Sequence, residues 1–387
     1  MLCGCWRFRH RSLSDVVVVK TNPQPAIAAA ELQQAVEQAV QRLQQGGLVA
    51  IPTETVYGLA ADASNEQAVR SIFSAKGRPA DHPLIVHLAA PAIVEASEIN
   101  QSDAWFKLIA PWVRDLPEEA LRLVEAFWPG PLTLVLKKDK HVLSAVTGGQ
   151  DTIALRSPDH PVAQALLQAF GGGLAAPSAN RFGKVSPTRA ADVSAEFSDQ
   201  ADLLILDGGD CIVGIESTIV DLSLGTPVLL RPGAITPEQI EQQTGLRVLQ
   251  AGARADSDKV TPRVSGSLKA HYAPNTPLRL YAPGAALDCI SQYPDTKSQV
   301  ALVVWESEQM RDPQVLGVLQ IQQVPIPEQS DLFASRLYRL LRDLDDHSWD
   351  LIVMPEPPMG QEWDGVRDRL QRACFGSGPP VSNQVSS

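Results

Sequence analysis

The sequence predicts an α/β (α+β) fold. The expectation is a twisted mixed sheet with helices, followed by a smaller α/β domain. Three observations predict it. Short aliphatic runs interleave with stretches of helical period. The interleaving lacks a strict βαβ rhythm, so the sheet is expected to mix parallel and antiparallel pairs. Residues 250–278 lose aliphatics and gain turn formers, which divides 387 residues into two folded parts.

Ile27 to Leu43 reads as the first helix, with Ala28, Leu32, Ala35, Val36, Ala39, Val40 and Leu43 on one side. Gly46-Gly47 closes it and turns into a strand, Leu48 to Ile51, which breaks at Pro52. Thr53, Glu54, Thr55 and Tyr57 then precede Gly58. The next helix is expected to open on a capping box of Ser64 and Gln67 and to bury Ala68, Val69, Ile72 and Phe73. It ends at Lys76-Gly77-Arg78, where Pro79 forbids continuation. Pro83 opens a strand, Leu84 to Leu88, carrying His87.

Ala104 to Phe127 reads as two helices parted near Pro117, and Trp128-Pro129-Gly130-Pro131 as a turn. Strands follow at Leu132 to Leu136 and Thr152 to Arg156, a helix at Pro161 to Phe170, and a short apolar run at Leu174 to Ala176. Further strands are expected at Leu203 to Leu206, Ser217 to Asp221 and Val228 to Leu230. Past the linker, Leu278 to Tyr281, Val300 to Val304 and Leu351 to Met354 read as strands. Leu332 to Leu344 and Val366 to Ala373 read as helices. The expected division is a tail at 1–22, a main domain at 23–249, a linker at 250–278, a C-terminal domain at 279–374 and a tail at 375–387.

The net charge is −11, and residues 23–249 hold 16 Lys and Arg against 26 Asp and Glu. An acidic main domain argues against strong direct nucleic-acid binding, which needs phosphate neutralisation. Cys3, Cys5, Cys211, Cys289 and Cys374 are scattered, with neither a disulfide nor a zinc framework, as expected in a reducing cytoplasm. No apolar run is long enough to span a bilayer. The basic start, MLCGCWRFRHRSL, lacks the apolar stretch of a signal peptide. There is no P-loop, no G-x-S-x-G and no H-E-x-x-H, and Gly171-Gly172-Gly173 precedes a strand, so it is not a dinucleotide fingerprint.

Locally, Lys76 and Arg78 read as a solvated helix cap, His87 as a core histidine, and Arg156 as one half of a surface pair with Asp159. Ser178-Ala179-Asn180 is by itself a turn. His82 and His87 stand five apart with no third ligand near, so no protein-held metal is expected.

Taken together, certain stretches say more. PTETVYGL (Pro52 to Leu59), KGRP (Lys76 to Pro79), HPLIVHL (His82 to Leu88), TIALR (Thr152 to Arg156) and PSAN (Pro177 to Asn180) form one ordered set. They are followed by SPT (Ser186 to Thr188), GIESTIVD (Gly214 to Asp221), LLRPG (Leu229 to Gly233) and HYAP (His271 to Pro274). This set resembles the YrdC-like family in its long, two-domain form. The resemblance implies a YrdC-like catalytic domain and a Rossmann-like C-terminal domain. It also implies synthesis of L-threonylcarbamoyl-adenylate from L-threonine, bicarbonate or CO2, and ATP, with loss of pyrophosphate. A separate transferase would then modify adenosine in tRNA.

The resemblance also implies a site. Lys76 and Arg78 would act in catalysis and, with His82, Thr152, Ser178, Asn180, Thr188, Arg231 and Tyr272, would hold ATP. Thr55, His87, Arg156 and Ser217 would hold threonine. Mg2+ would arrive with the phosphates. The linker around Tyr272 would act as a lid. Two other readings are an RNA-binding module and carbamoyl transfer as in hydrogenase maturation. The acidic charge counts against the first, and the absence of paired C-x-x-C motifs against the second.

Overall fold

The computed structural model describes residues 17–20, 27–91, 101–251, 261–266, 268–292, 299–308 and 320–378. Most of both expected tails and the middle of the expected linker therefore lie outside the described residues. In the first part, strands β1 (Val17–Lys20), β2 (Val49–Ile51), β3 (Gly58–Asp62) and β4 (Ile85–His87) are followed by β5 (Leu132–Lys137), β6 (Thr152–Arg156) and β7 (Leu174–Ala175). Then come β8 (Leu204–Asp207), β9 (Thr218–Asp221), β10 (Val228–Arg231) and β11 (Leu249–Gln250). They form one sheet in the order β1-β8-β2-β3-β7-β4-β6-β5-β9-β10-β11. Parallel pairs such as β4–β6 stand beside antiparallel ones such as β5–β6, as expected of a mixed sheet.

Helices α1 (Ile27–Gln44), α2 (Glu66–Lys76), α3 (Gln101–Ile109), α4 (Glu118–Phe127), α5 (Ser144–Thr147), α6 (Pro161–Phe170), α7 (Ala190–Glu196) and α8 (Pro237–Thr244) cover this sheet. Strand alternation sorts them into two layers. Val49, Ile51 and Ala60 pack with Ala35, Ala39 and Leu43 of α1 and Leu166 of α6. Ala50, Leu59 and Ala61 face the other way, onto Ile72 of α2, Trp105 of α3, Leu123 of α4 and Ile240 of α8.

The second part is an all-parallel sheet, β12 (Leu278–Tyr281), β15 (Leu351–Pro355), β13 (Gln299–Trp305) and β14 (Gln320–Ile326), in the order β12-β15-β13-β14. Helix α9 (Ala286–Ser291) lies on one face, with Ile290 against Val300 and Val353. Helices α10 (Ser330–Asp345) and α11 (Asp364–Gly376) lie on the other, against Ala301, Val303 and Ile352. That second core continues into the first part through Val56, Val185, Ile215 and Tyr272. The contact is backbone-close. A Cβ on Gly214 would stand 2.4 Å from Ser335 Cα, and one on Gly365 would stand 3.2 Å from Gly233 Cα.

Several details differ from the sequence expectation. Four residues of the expected tail, Val17–Lys20, form an edge strand parallel to β8. Helix α2 is capped by Asn65, whose side chain accepts from the Ala68 N–H, and not by Ser64. The Ser64 hydroxyl and N–H are both spent on Asp62 Oδ1. Strand β3 was not expected, because Gly58, Ala60 and Ala61 carry little strand propensity. At its far end α2 stops as expected, with Gly77 at φ 62° in the left-handed region.

Candidate functional site

The adjacent strands β4 and β6, the end of β10 and four loop segments line one partly open cavity. Its base is Ile85 and His87 of β4 and Arg156 of β6, which the parallel register sets beside His87. The Thr53–Gly58 loop and Ala176-Pro177-Ser178 form one side, and Glu216, Ser217 and Arg231 the other. Ser265, His271 and Tyr272 close it from above. The cavity volume is about 30 Å3, and its mouth is partly open.

Each wall is held by its own hydrogen bonds. Thr53 Oγ1 accepts from the N–H groups of Thr55 and Val56, both at 3.2 Å, which fixes a tight turn after Pro52. Arg156 donates through Nη1 to Thr55 Oγ1 (2.8 Å) and through Nε to Gly130 O (3.2 Å). Its Nη2 pairs with Glu54 Oε1 at 2.6 Å, so the expected surface pair with Asp159 is replaced by a buried one. Ser217 Oγ and Thr133 Oγ1 are 2.7 Å apart. Arg231 donates to Ser217 O at 3.1 and 2.9 Å, to Ser217 Oγ at 3.1 Å and to Ser265 O at 2.8 Å.

Lys76, expected at the cavity, stands one layer behind it. It is buried, not a solvated cap, and Nζ donates to Ser178 O at 2.6 Å and to Asn180 O. Burial, with Arg78 beside it, lowers its pKa well below the ordinary lysine value. Arg78 donates to Pro83 O at 3.0 Å and reaches Ser265 Oγ at 3.4 Å, at the edge of the roof. Asn180 is also buried, its amide donating to Arg181 O and Lys184 O. His82 stands further out, edge-on to Phe182 at 5.5 Å. Thr152 opens β6, roughly 13 Å along the strand from Arg156, and does not line the cavity. Thr188 is buried with its N–H on Asp192 and its carbonyl on Cys211, also off the cavity. The structure therefore gathers Thr55, His87, Arg156, Ser178, Ser217, Arg231 and Tyr272, with Lys76, Arg78 and Asn180 just behind.

Lining residues that the sequence did not single out are Thr53, Glu216, Ser265 and His271. A signal for Ser265 existed in its neighbour. Gly266 has φ 79°, and a Cβ there would come within 2.2 Å of the Tyr272 hydroxyl. Tyr272 itself, at φ 59°, is the one non-glycine at positive φ among the described residues. Such a backbone costs about 1–2 kcal/mol and is held by its surroundings.

Burial, with Arg156 second, depresses His87 to about 3, and burial depresses His271 to about 3, so both rings are neutral at pH 7. The charges are unequally matched. Arg156 has Glu54, but Lys76, Arg78 and Arg231 are buried with no carboxylate within 4 Å among the described residues. Two of these basic groups, Arg156 and Arg231, line the pocket, and Lys76 and Arg78 stand behind its wall, which is the build of a polar small-molecule site.

The family model described as "Telomere recombination" (Sua5/YciO/YrdC) matches residues 41–233, and the one described as "Threonylcarbamoyl-AMP synthase, C-terminal domain" matches residues 235–374. Over 344 residues the chain is 38% identical to a threonylcarbamoyl-AMP synthase of Bacillus subtilis, covering 88% of this chain and 93% of that one. Over 377 residues it is 33% identical to that of Schizosaccharomyces pombe, covering 90% of each. The crystal structure of Pyrococcus abyssi Sua5 complexed with L-threonine is similar at a TM-score of 0.73 and 32% identity, over 94% of this chain and 98% of that one. The chain belongs to the threonylcarbamoyl-AMP synthase family.

Proposed function

We propose that this protein condenses L-threonine, bicarbonate or CO2, and ATP into L-threonylcarbamoyl-adenylate, releasing pyrophosphate. The observation that carries the reading is the cluster of three buried basic side chains in or just behind one pocket, Lys76, Arg78 and Arg231, none with a carboxylate within 4 Å among the described residues. A triphosphate supplies the missing negative charge. Membership of an ATP-using, adenylyl-transferring family supports the same reading.

Thr55, His87, Arg156 and Ser217 take the amino acid, with Arg156 turned to its carboxylate. Lys76, Arg78, Ser178, Asn180, Arg231 and Tyr272 take the nucleotide, with His82 and Thr152 on its outer side, while Thr188, buried off the cavity, supports the wall from behind. The amine must be neutral to take up CO2. The carbamate oxygen then attacks the α-phosphorus and pyrophosphate leaves. That step asks for alignment and charge neutralisation, not for a covalent nucleophile. Lys76 and Arg78 supply the neutralisation, and Lys76 also fixes the Ser178–Asn180 turn.

Mg2+ fits as an ion carried by the phosphates, where it would neutralise charge on the leaving group. The one carboxylate on the lining, Glu216, is committed to protein partners, and no group of three metal-binding side chains occurs among the described residues. Ser178 and the other hydroxyls would meet its water shell.

The cavity as it stands, about 30 Å3, is smaller than these substrates, which supports a roof that moves. We read residues 264–275 as a lid that closes over ATP and shields the labile adenylate. The division into a catalytic domain, this strap and a C-terminal domain follows. Among the described residues no helix is long and apolar enough to cross a membrane. A role upstream of a tRNA-modifying transferase supports a cytoplasmic protein. The test is to incubate the protein with ATP, threonine and bicarbonate, to omit each in turn, and to assay pyrophosphate and the adenylate. Pyrophosphate release that ignores threonine would overturn the proposal.

A further inference from the structure

Arg369 belongs to α11 of the second part, yet its side chain is fully buried against the first. Nε meets Glu216 Oε2 at 3.1 Å, Nη2 donates to the Glu216 carbonyl at 3.1 Å, and Nη1 donates to the Pro232 carbonyl at 2.6 Å. Glu216 adjoins Ser217 and Pro232 adjoins Arg231, the two cavity residues that are hydrogen-bonded to each other. The guanidinium also faces the Tyr272 ring at 5.6 Å. Tyr338 of α10 works beside it, donating to Glu216 Oε2 at 2.7 Å and stacking on Tyr272 at 5.5 Å. Ser186 gives the other Glu216 oxygen a hydrogen bond at 2.6 Å.

One guanidinium therefore touches the backbone beneath two wall residues and the ring that forms the roof. Adhesion between the two parts does not require this, since Val56, Val185 and Ile215 already pack into the second core. A buried ion pair is a poor source of net stability compared with apolar packing, and in some proteins its role is to fix geometry. Burial works against the Glu216 charge, yet Arg369 and Arg231, with the two hydroxyls, hold its carboxyl at about 2. The pair is thus intact throughout the neutral range.

We propose that Arg369 is a positioning residue of the active site: through it the C-terminal domain sets the spacing of Ser217, Arg231 and Tyr272, and with it the affinity for substrates. The proposal rests on the functional reading above, and its test separates the two. The full-length variants are Arg369→Lys, Arg369→Met and the double variant Glu216→Gln with Arg369→Met, which leaves no orphan charge if Arg369→Met does not fold. Steady-state pyrophosphate release gives kcat and KM for threonine and for ATP. Amide exchange follows segments 214–221, 228–233 and 263–275, with β13 as the control.

The expected result in folded variants is a threonine KM raised tenfold or more with a smaller fall in kcat. Exchange should quicken in the three segments and not in β13, and Arg369→Lys should recover part of the loss. In a cycle with Ser217→Ala, the two effects on threonine KM should be non-additive. Unchanged KM values in folded Arg369→Met, an additive cycle, or losses that track only the folded fraction would overturn the proposal. If the wild type makes no adenylate, the functional reading falls, and the exchange measurements alone still decide whether Arg369 holds these segments.

Discussion

Arg156 and Glu54 form a buried ion pair at 2.6 Å within the cavity wall, and among the described residues neither Glu54 oxygen has another hydrogen-bond donor. The carboxylate thus depends on one guanidinium, which also orders Thr55. Glu54→Gln should cost about 3–5 kcal/mol, because it leaves the Arg156 charge buried and alone. Arg156→Lys keeps a charge but loses the planar fork, so the fold should survive while the threonine KM rises. Denaturant titration checks the first and steady-state kinetics the second.

The cations behind the cavity make a second case. Lys76→Ala and Arg78→Ala each remove a charge-assisted contact worth about 1.5–3 kcal/mol, which is about ten- to a hundredfold in kcat/KM for ATP. Lys76→Ala should also loosen the Ser178–Asn180 turn, visible as faster amide exchange there. Wild-type turnover in either variant would remove these residues from the mechanism.

A site that hydrogen-bonds a hydroxyl rejects an analogue lacking it by up to about 10^4–10^5. Valine should therefore support little pyrophosphate release, and serine, short of only a methyl, an intermediate amount. Equal rates for valine and threonine would mean that Thr55 and Ser217 do not read the side chain.

Acid stability carries a further signature. His87 and His271 titrate at about 3 when folded, against 6.5 when free. Their contribution to stability is present above about pH 6.5 and is lost as pH falls towards 3, because only the unfolded chain takes up the proton in that window. Each adds a slope of about 1.4 kcal/mol per pH unit there. Replacing His87 by Asn should flatten the stability profile between pH 6 and 4 by about one proton. An unchanged slope would mean that His87 is not buried neutral.

Tyr272 closes the cavity with a strained backbone and a hydroxyl that has no hydrogen-bond partner among the described residues. Tyr272→Ala should leave the fold intact and lower the adenylate recovered per pyrophosphate released, as water reaches the intermediate. Cutting the chain before Val264 should show the stronger form of the same defect. An unchanged ratio in both would reduce the segment to a tether.

Much of this architecture was legible in the sequence. Strand β6 and helix α6 have the expected bounds, because Thr152 to Arg156 is β-branched and aliphatic and Pro161 and Gly171 mark the helix ends. Helix α8 was missed despite its Thr236–Gln239 capping box, because Ile240 is its only buried residue and gives no apolar stripe. Helix α7 was missed because Ala190, Val193 and Ser194 make a weak stripe on a short element. At the site, Thr55, His87, Arg156 and Ser217 lay in recognisable stretches. The roles of Glu54 and Glu216 did not, since each is defined by a guanidinium about 100 and 153 residues away.

The glycines at the seam between the two parts bear on how the chain can be rebuilt. Gly214 lies against the backbone of Ser335, and Gly365 against Gly233 and the Ile215 side chain, so at these two points the surfaces meet at close range. A graft that exchanged the C-terminal portion for a relative's would succeed or fail on whether those glycines come as a matched set. A single methyl at Gly214 would wedge the halves apart and withdraw Arg369 from the cavity wall at the same stroke. What looks like a detachable module is cut to fit one counterpart.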